Sequence, residues 1–259
     1  MIKNKNMTNS QFSSANADIS LLIPARMAST RLPNKPLADI KGKPMIVRVM
    51  ERARAAGFGE PIVAAAEKEI ADAVNAAGGI AVLTAPELAS GTDRIFAALN
   101  TYKTMPKYVV NIQGDLPTLD PAAIRLVIEV LQQTSCDIAT LACKITRDSE
   151  RQNPNVVKVV LVADGEKKIT RALYFSRATV PFADGDLFHH IGLYAYKIEA
   201  LKKFVALPPS KLEQREKLEQ LRALEAGMSI AVGIIETVPL GVDTAEDLER
   251  ARAEWQQAE

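Results

Sequence analysis

ISLLIPARMASTRLPNKP, residues 19 to 36, begins as an apolar strand and ends as a charged loop. An apolar run of this length that gives way to a proline-bearing loop reads as a buried strand. The loop therefore leaves the carboxyl end of the first strand, which is where open α/β sheets bind ligands. Pro33 and Pro36 hold it extended. Arg26, Arg31 and Lys35 stand in it among the small residues Ala25, Ala28, Ser29 and Thr30, a composition suited to a closely approaching polyphosphate. Taken by composition alone, the same loop reads equally as a solvated basic surface. No glycine occurs between the strand and Gly42, and Gly42-Lys43 is followed by Pro44. Neither the glycine fingerprint of dinucleotide-binding sheets nor a P-loop is present there, which argues against a dehydrogenase.

Working outward, apolar runs at 19 to 24, 61 to 66, 80 to 84, 107 to 112 and 137 to 145 read as strands separated by helical segments. The stretch 44 to 57 repeats Met45, Ile46, Val49, Met50 and Ala53 at helical spacing, with Arg48, Glu51, Arg52 and Arg54 expected to face out. Asp120 followed by Pro121 marks another helix start. The expected fold is α/β: a mostly parallel mixed sheet with helices on both faces. After residue 150 the rhythm changes, and 156 to 162, 169 to 175 and 189 to 196 follow one another as strands, which predicts a small antiparallel lobe at about 150 to 225. Ser210 opens a capping box, SKLE, ahead of a helix carrying Leu218, Leu221 and Leu224 on one face. A last strand at 229 to 235 leads to a helix started by TAED and anchored by Leu248, Ala251 and Trp255.

The 259 residues are 47% hydrophobic, enough for one sizeable core. Lys and Arg number 32 against 31 acids, so there is no overall basic field for nucleic acid or an anionic membrane, and an anionic ligand must be met by a local cluster. Cys136 and Cys143 have no metal-ligand spacing, which points to buried thiols in a reducing compartment, the cytoplasm. The polar residues 1 to 18 lack the apolar segment of a signal peptide and read as a disordered extension to a single domain spanning 19 to 259. No apolar run reaches the length of a membrane span.

Two carboxylates fall at strand ends. In VVNIQGDLP, residues 109 to 117, a buried strand ends on Gln113, Gly114 and Asp115 and is cut off by Pro117. In GVDTAEDLE, residues 241 to 249, Asp243 lies between a strand-like segment and a helix start. The pair suits Mg²⁺, a hard ion that takes one or two carboxylates and completes its shell with phosphates and water. Alone, Asp243 also reads as a turn or capping residue.

Together these motifs resemble the 3-deoxy-manno-octulosonate (Kdo) cytidylyltransferases. The likeness runs from Ile19 to about Arg252 and includes GKPMI at 42 to 46, SGTDR at 90 to 94, ALYFSRA at 172 to 178, HHIGLYAY at 189 to 196 and LEQLR at 218 to 222. The resemblance implies that Arg26, Arg31 and Lys35 contact the phosphates of CTP, that Ser90 and Arg94 help bind cytidine, and that Asp115 and Asp243 hold magnesium. It also implies a sugar pocket of Gln113, Arg177, His190, Tyr194, Glu219 and Gln220, with Arg177 facing the sugar carboxylate. Without it, His190 and Tyr194 read as ordinary strand residues, and Glu219 with Gln220 as a solvated helix face. His189 should point to the opposite side of its strand. Leu116 follows the QGD triplet, so that loop offers one carboxylate, and Ala65-Ala66 end the second strand without a polar side chain.

The implied reaction is attack of the sugar's anomeric hydroxyl on the α-phosphorus of CTP, giving CMP-Kdo for lipopolysaccharide biosynthesis, by a cytoplasmic homodimer with Mg²⁺ as cofactor. No covalent enzyme intermediate is required. Alternatives are a cytidylyltransferase for 8-amino-Kdo or sialic acid, and a module that binds CTP without turning it over.

Overall fold

In a computed structural model, residues 18–29, 31–162 and 168–257 are described. The first apolar run forms β1, Ile19–Ala25. Parallel to it lie β4, Ile62–Ala65, and β6, Tyr108–Asn111, with β5, Ile80–Leu83, outside β4. A two-residue hairpin, β2 (Asp39–Ile40) and β3 (Lys43–Pro44), forms a separate small sheet. The remaining strands are β7 (Ile138–Lys144), β8 (Lys158–Leu161), β9 (Ile169–Ser176), β10 (Phe188–Lys197) and β11 (Ile230–Ile235). They complete a nine-stranded sheet in the order β5-β4-β1-β6-β10-β7-β11-β9-β8.

The helices are α1 (Met45–Arg54), α2 (Lys68–Ala76), α3 (Gly91–Leu99), α4 (Pro121–Gln133), α5 (Asp148–Arg151), α6 (Ile198–Ala206), α7 (Lys211–Glu216), α8 (Gln220–Glu225) and α9 (Ala245–Gln257). Both faces of the sheet are covered. One apolar cluster joins α1, α2 and α4 to the sheet through Ile46, Ile70 and Ile124; the other joins α3, α6 and α8 through Ile95, Leu201 and Leu221. Burial of such side chains on both faces explains why the strands read as continuous apolar runs instead of alternating ones. This is the α/β fold expected from the sequence.

The antiparallel segment is present, and it continues the main sheet. β10 runs antiparallel to both β6 and β7, β9 to β11, and β8 to β9. β8 also meets β10, with Lys158 opposite His189, so β10, β7, β11, β9 and β8 close into a ring. A register shift in β10 between Ile191 and Tyr194 lets one strand pair with β8 at its start and β6 at its end.

Three local expectations are revised or fall outside the structure. Arg48, expected to face out, is only 5% exposed: its guanidinium donates to Ile40 O and Lys41 O at 2.9 and 2.7 Å, and it lies 4.4 Å from the ring centre of Trp255. The hairpin and α9 cover a position that helical periodicity placed in solvent. The helix opened by Ser210 breaks at Lys217, which takes a left-handed conformation, so Leu218 falls in the connection and Leu221 and Leu224 in α8. The expected disordered extension lies outside the described residues except for Asp18, whose backbone carbonyl accepts from Tyr108 N at 2.8 Å beside β1. No helix among the described residues is long and apolar enough to cross a membrane.

Candidate active site

The loop after β1 folds back over the carboxyl ends of the parallel strands because two contacts fix it. Met27 N donates to Glu67 Oε2 at 2.9 Å, and Asn34 adopts a left-handed turn ahead of a single 3-10 turn at Lys35–Leu37. Beneath it, β6 presses on β1 so closely that a Cβ on Gly114 would lie 2.8 Å from Pro24 O. Glycine at this position lets the QGD turn sit against the first strand.

Beside these strand ends is a cavity of about 490 Å³, lined by Arg26, Arg31, Lys35, Ser90, Arg94, Gln113, Asp115 and Asp243 among others. Chain segments separated by more than 200 residues thus meet at one opening. Val242 N donates to Asp115 O at 2.9 Å, which ties the two carboxylate-bearing loops together. Lys35 Nζ sits between them, 2.8 Å from Asp115 Oδ2 and 3.0 Å from Asp243 Oδ1, and Arg31 Nη2 is 3.0 Å from Asp243 Oδ2. Burial works against the Lys35 ammonium, but the two carboxylates outweigh it and hold its pKa above the ordinary lysine value.

Asp243 is not the cap of α9. Thr244 and Asp247 do that work: Asp247 N donates to Thr244 Oγ1, while Asp247 Oδ2 accepts from the backbone of Asp243 and Thr244. Burial opposes the Asp247 charge, yet these bonds keep its pKa below the usual value. The Asp243 side chain is therefore free of helix capping and faces cations, here Arg31 and Lys35. Two hard oxygen donors on one cation suit a divalent ion that draws its other ligands from phosphate and water. Among the described residues, no group of three or more His, Cys, Asp or Glu is gathered for a metal.

Ser90 caps α3, its hydroxyl accepting from Asp93 N at 3.1 Å. Arg94, 2% exposed, spends its donors on Thr84 Oγ1, Ala85 O and Pro86 O, so it braces the turn after β5 as well as lining the cavity.

The residues implied for the sugar divide. Gln113 lines the cavity. His190 is buried, Nε2 3.0 Å from Thr140 Oγ1 and its ring 5.4 Å from that of Tyr194; burial, with His189 adjacent, pushes its pKa down to about 3. Tyr194 lies opposite Asn111 of β6, and burial and then the charges of Tyr196 and Glu219 raise its pKa. Glu219 is half-buried against α3, accepting from Thr92 Oγ1 at 2.8 Å. Burial raises its pKa, and the Ser90 and Thr92 hydroxyls partly offset that. Among the described residues, Glu219 Oε1, Gln220 Nε2 and Asn111 Oδ1 are buried with no close hydrogen-bond partner. Arg177 does not line the cavity; its guanidinium donates to Glu216 O, Pro154 O and Lys217 O at 2.9, 3.0 and 3.4 Å. His189 pairs across from Cys143 and Lys158, on the strand face opposite to His190.

Sequence reasoning passed over Glu67, Thr92, Asn111 and Asp247. Thr92 stands inside the SGTDR segment and Asn111 two residues before Gln113. A polar residue amid the apolar run VVNI was the available signal for the second.

Cations that can receive a polyphosphate, set against a carboxylate pair that can receive a divalent ion, are the requirements of nucleotidyl transfer, and the sheet carrying them is that of a nucleotidyltransferase. The family model described as Cytidylyltransferase matches residues 20–230. A 3-deoxy-manno-octulosonate cytidylyltransferase of Parvibaculum lavamentivorans is 63% identical over 235 residues, 90% of this chain and 91% of the relative. That of Rhodospirillum rubrum is 60% identical over 251 residues, 95% and 99% of the two chains. A solved CMP:2-keto-3-deoxy-manno-octonic acid synthetase complexed with CTP superposes with a TM-score of 0.86 at 36% identity, covering 93% of this chain and all of that one. The chain belongs to the 3-deoxy-manno-octulosonate cytidylyltransferases.

Proposed function

We propose that this chain transfers CMP from CTP to the anomeric hydroxyl of Kdo, releasing pyrophosphate. One observation carries the proposal: Lys35 Nζ is held between Asp115 and Asp243 at the cavity where Arg26 and Arg31 also converge. The names of the relatives and the CTP of the solved synthetase support the choice of substrates.

In this reaction the hydroxyl oxygen forms a bond to the α-phosphorus and gives up its proton to solvent water, while the bond from the α-phosphorus to the bridging oxygen breaks and pyrophosphate leaves with the electron pair. Arg26, Arg31 and Lys35 receive the triphosphate. Lys35, already poised between two anions, exchanges carboxylate for phosphate oxygens and neutralises the charge that builds on pyrophosphate. Asp115 and Asp243 fit magnesium, and the chemistry it supplies when bound is charge neutralisation at the phosphates and a lowered pKa for the sugar hydroxyl. Ser90 and Arg94 shape the nucleoside side. Gln113, His190, Tyr194, Glu219 and Gln220 form the sugar side, where the unpaired Glu219 Oε1 and Gln220 Nε2 await hydrogen-bond partners. Arg177 joins them by exchanging its three backbone carbonyls for the sugar carboxylate. The free thiols of Cys136 and Cys143 fit a cytoplasmic enzyme, and a homodimer through the antiparallel end of the sheet completes the proposal.

The test is pyrophosphate release by purified protein. Release should require CTP, Kdo and Mg²⁺ together, and Asp115→Ala should lower turnover by about a hundredfold or more, the scale of losing a charge-stabilising group. Near-normal turnover in that variant rejects the metal assignment. Release with sialic acid or 8-amino-Kdo in place of Kdo changes the sugar, and CTP binding without release leaves a non-catalytic module.

A further inference from the structure

We infer that Thr92 is a positioning residue for the sugar: its hydroxyl fixes the Glu219 carboxylate from the same helix turn that borders the nucleotide cavity. This rests on the sugar-side reading of Glu219 given above. Thr92 is the second residue of α3 and only 1% exposed. In the first turn of a helix a threonine has no helical carbonyl behind it to take its hydroxyl proton. Here it donates to Glu219 Oε2 at 2.8 Å, across 127 positions of sequence. A hydroxyl has one proton, so that bond commits it.

Glu219 feels the charge of Arg222, but burial outweighs it. It precedes α8, yet its side chain makes no capping bond there. Burying a carboxylate is unfavourable unless partners are provided, and burial raises its pKa. With Oε2 held by Thr92 and the Ser90 hydroxyl near the carboxylate, Oε1 is buried with no close hydrogen-bond partner among the described residues. On the other side of the hydroxyl, Asn111 Nδ2 lies 3.5 Å from Thr92 Oγ1 and the buried Tyr196 side chain reaches both residues, while Asn111 Oδ1 has no close partner among the described residues. The remaining Glu219 oxygen is an acceptor, so it fits a ligand that presents hydroxyl donors, as a polyhydroxylated sugar does. The turn bearing Thr92 also bears Ser90 and Gly91, both of which line the cavity. One short turn therefore faces the nucleotide through Ser90 and orients a sugar-side carboxylate through Thr92.

Steady-state kinetics on the full chain tests this, with Thr92→Val, Thr92→Ala, Thr92→Ser and Glu219→Gln compared by pyrophosphate release. Thr92→Val should raise the KM for Kdo about tenfold while the KM for CTP stays within about twofold, the scale of one hydrogen bond to a charged group. Thr92→Ser retains the hydroxyl and should restore most of the Kdo KM, and Thr92→Ala removes the hydroxyl without adding a methyl, so it reports the split if valine disturbs the helix. Unchanged Kdo KM in both Thr92→Val and Thr92→Ala, with Glu219→Gln raising it, overturns the role of Thr92 alone. If Glu219→Gln also leaves the Kdo KM unchanged, the sugar-side assignment fails with it. Equal loss in Thr92→Ser and Thr92→Val means that packing, not the hydroxyl, matters at this position, and rejects the inference.

Discussion

A histidine buried among aromatic rings illustrates what single residues contribute beyond contact. His190 has Thr140 and the Phe175 and Tyr194 rings around it, and burial holds its pKa near 3 against an ordinary 6.5. The folded chain keeps it neutral where the unfolded chain takes up a proton. The unfolded state therefore binds more protons between pH 6.5 and about 3. Stability must rise with pH across that window and fall as the solution is acidified, by about 1.4 kcal/mol per pH unit from this group alone. Urea unfolding of the native chain and His190→Gln from pH 7 to 5 should show a flatter profile in the variant. Parallel profiles mean that His190 protonates normally in the folded protein. The same residue shows how far sequence reaches at this scale. Its alternation with His189 gave the face of the strand, but its burial comes from Phe175 and Thr140 on other strands, which no local pattern reports.

At the scale of elements, α9 matters because Asp243 stands at its entry. The helix docks through a small apolar cluster of its own, in which Leu248 and Ala251 meet Ile40, Met45 and Val242, with Trp255 packed at the edge. Arg48 stacks on Trp255, and Arg252 Nε donates to Asp39 O at 2.9 Å, so the β2–β3 hairpin and α9 brace one another. Trp255→Ala should loosen this satellite without unfolding the main sheet, at a cost of about 2–3 kcal/mol, below the range for a fully buried tryptophan. Amide exchange in α9 should quicken while that of β1 and β6 is unchanged, and turnover should need more Mg²⁺ as Asp243 loses its place. An unchanged Mg²⁺ requirement with faster exchange in α9 separates the helix from the site. The start and anchors of α9 were legible as TAED and as Leu248, Ala251 and Trp255. Its contact with Arg48 was not, because helical periodicity describes one helix and not what another lays over it.

Over the whole molecule, the closed ring of β10, β7, β11, β9 and β8 presents Leu173 at 52% exposure, and the loop before β10 presents Phe182 at 99%. If the proposed dimer forms through this end, the double change Leu173→Glu and Phe182→Glu should convert it to a monomer in sedimentation velocity, with the melting temperature of the remaining fold little altered. A native chain that sediments as a monomer removes the homodimer from the proposal. The sequence by itself determined the order of strands and helices, the two carboxylates and three cations at strand ends, and the family, because apolar periodicity, proline, capping residues and short motifs are local properties of the chain. Only the tertiary structure decided that the antiparallel strands extend the main sheet and close on β10, that Lys35 stands between Asp115 and Asp243, and that Arg177 is held by backbone carbonyls away from the cavity. Those outcomes depend on which distant segments approach one another and satisfy each other's charges and hydrogen bonds, and that is settled when the sheet closes and its helices pack.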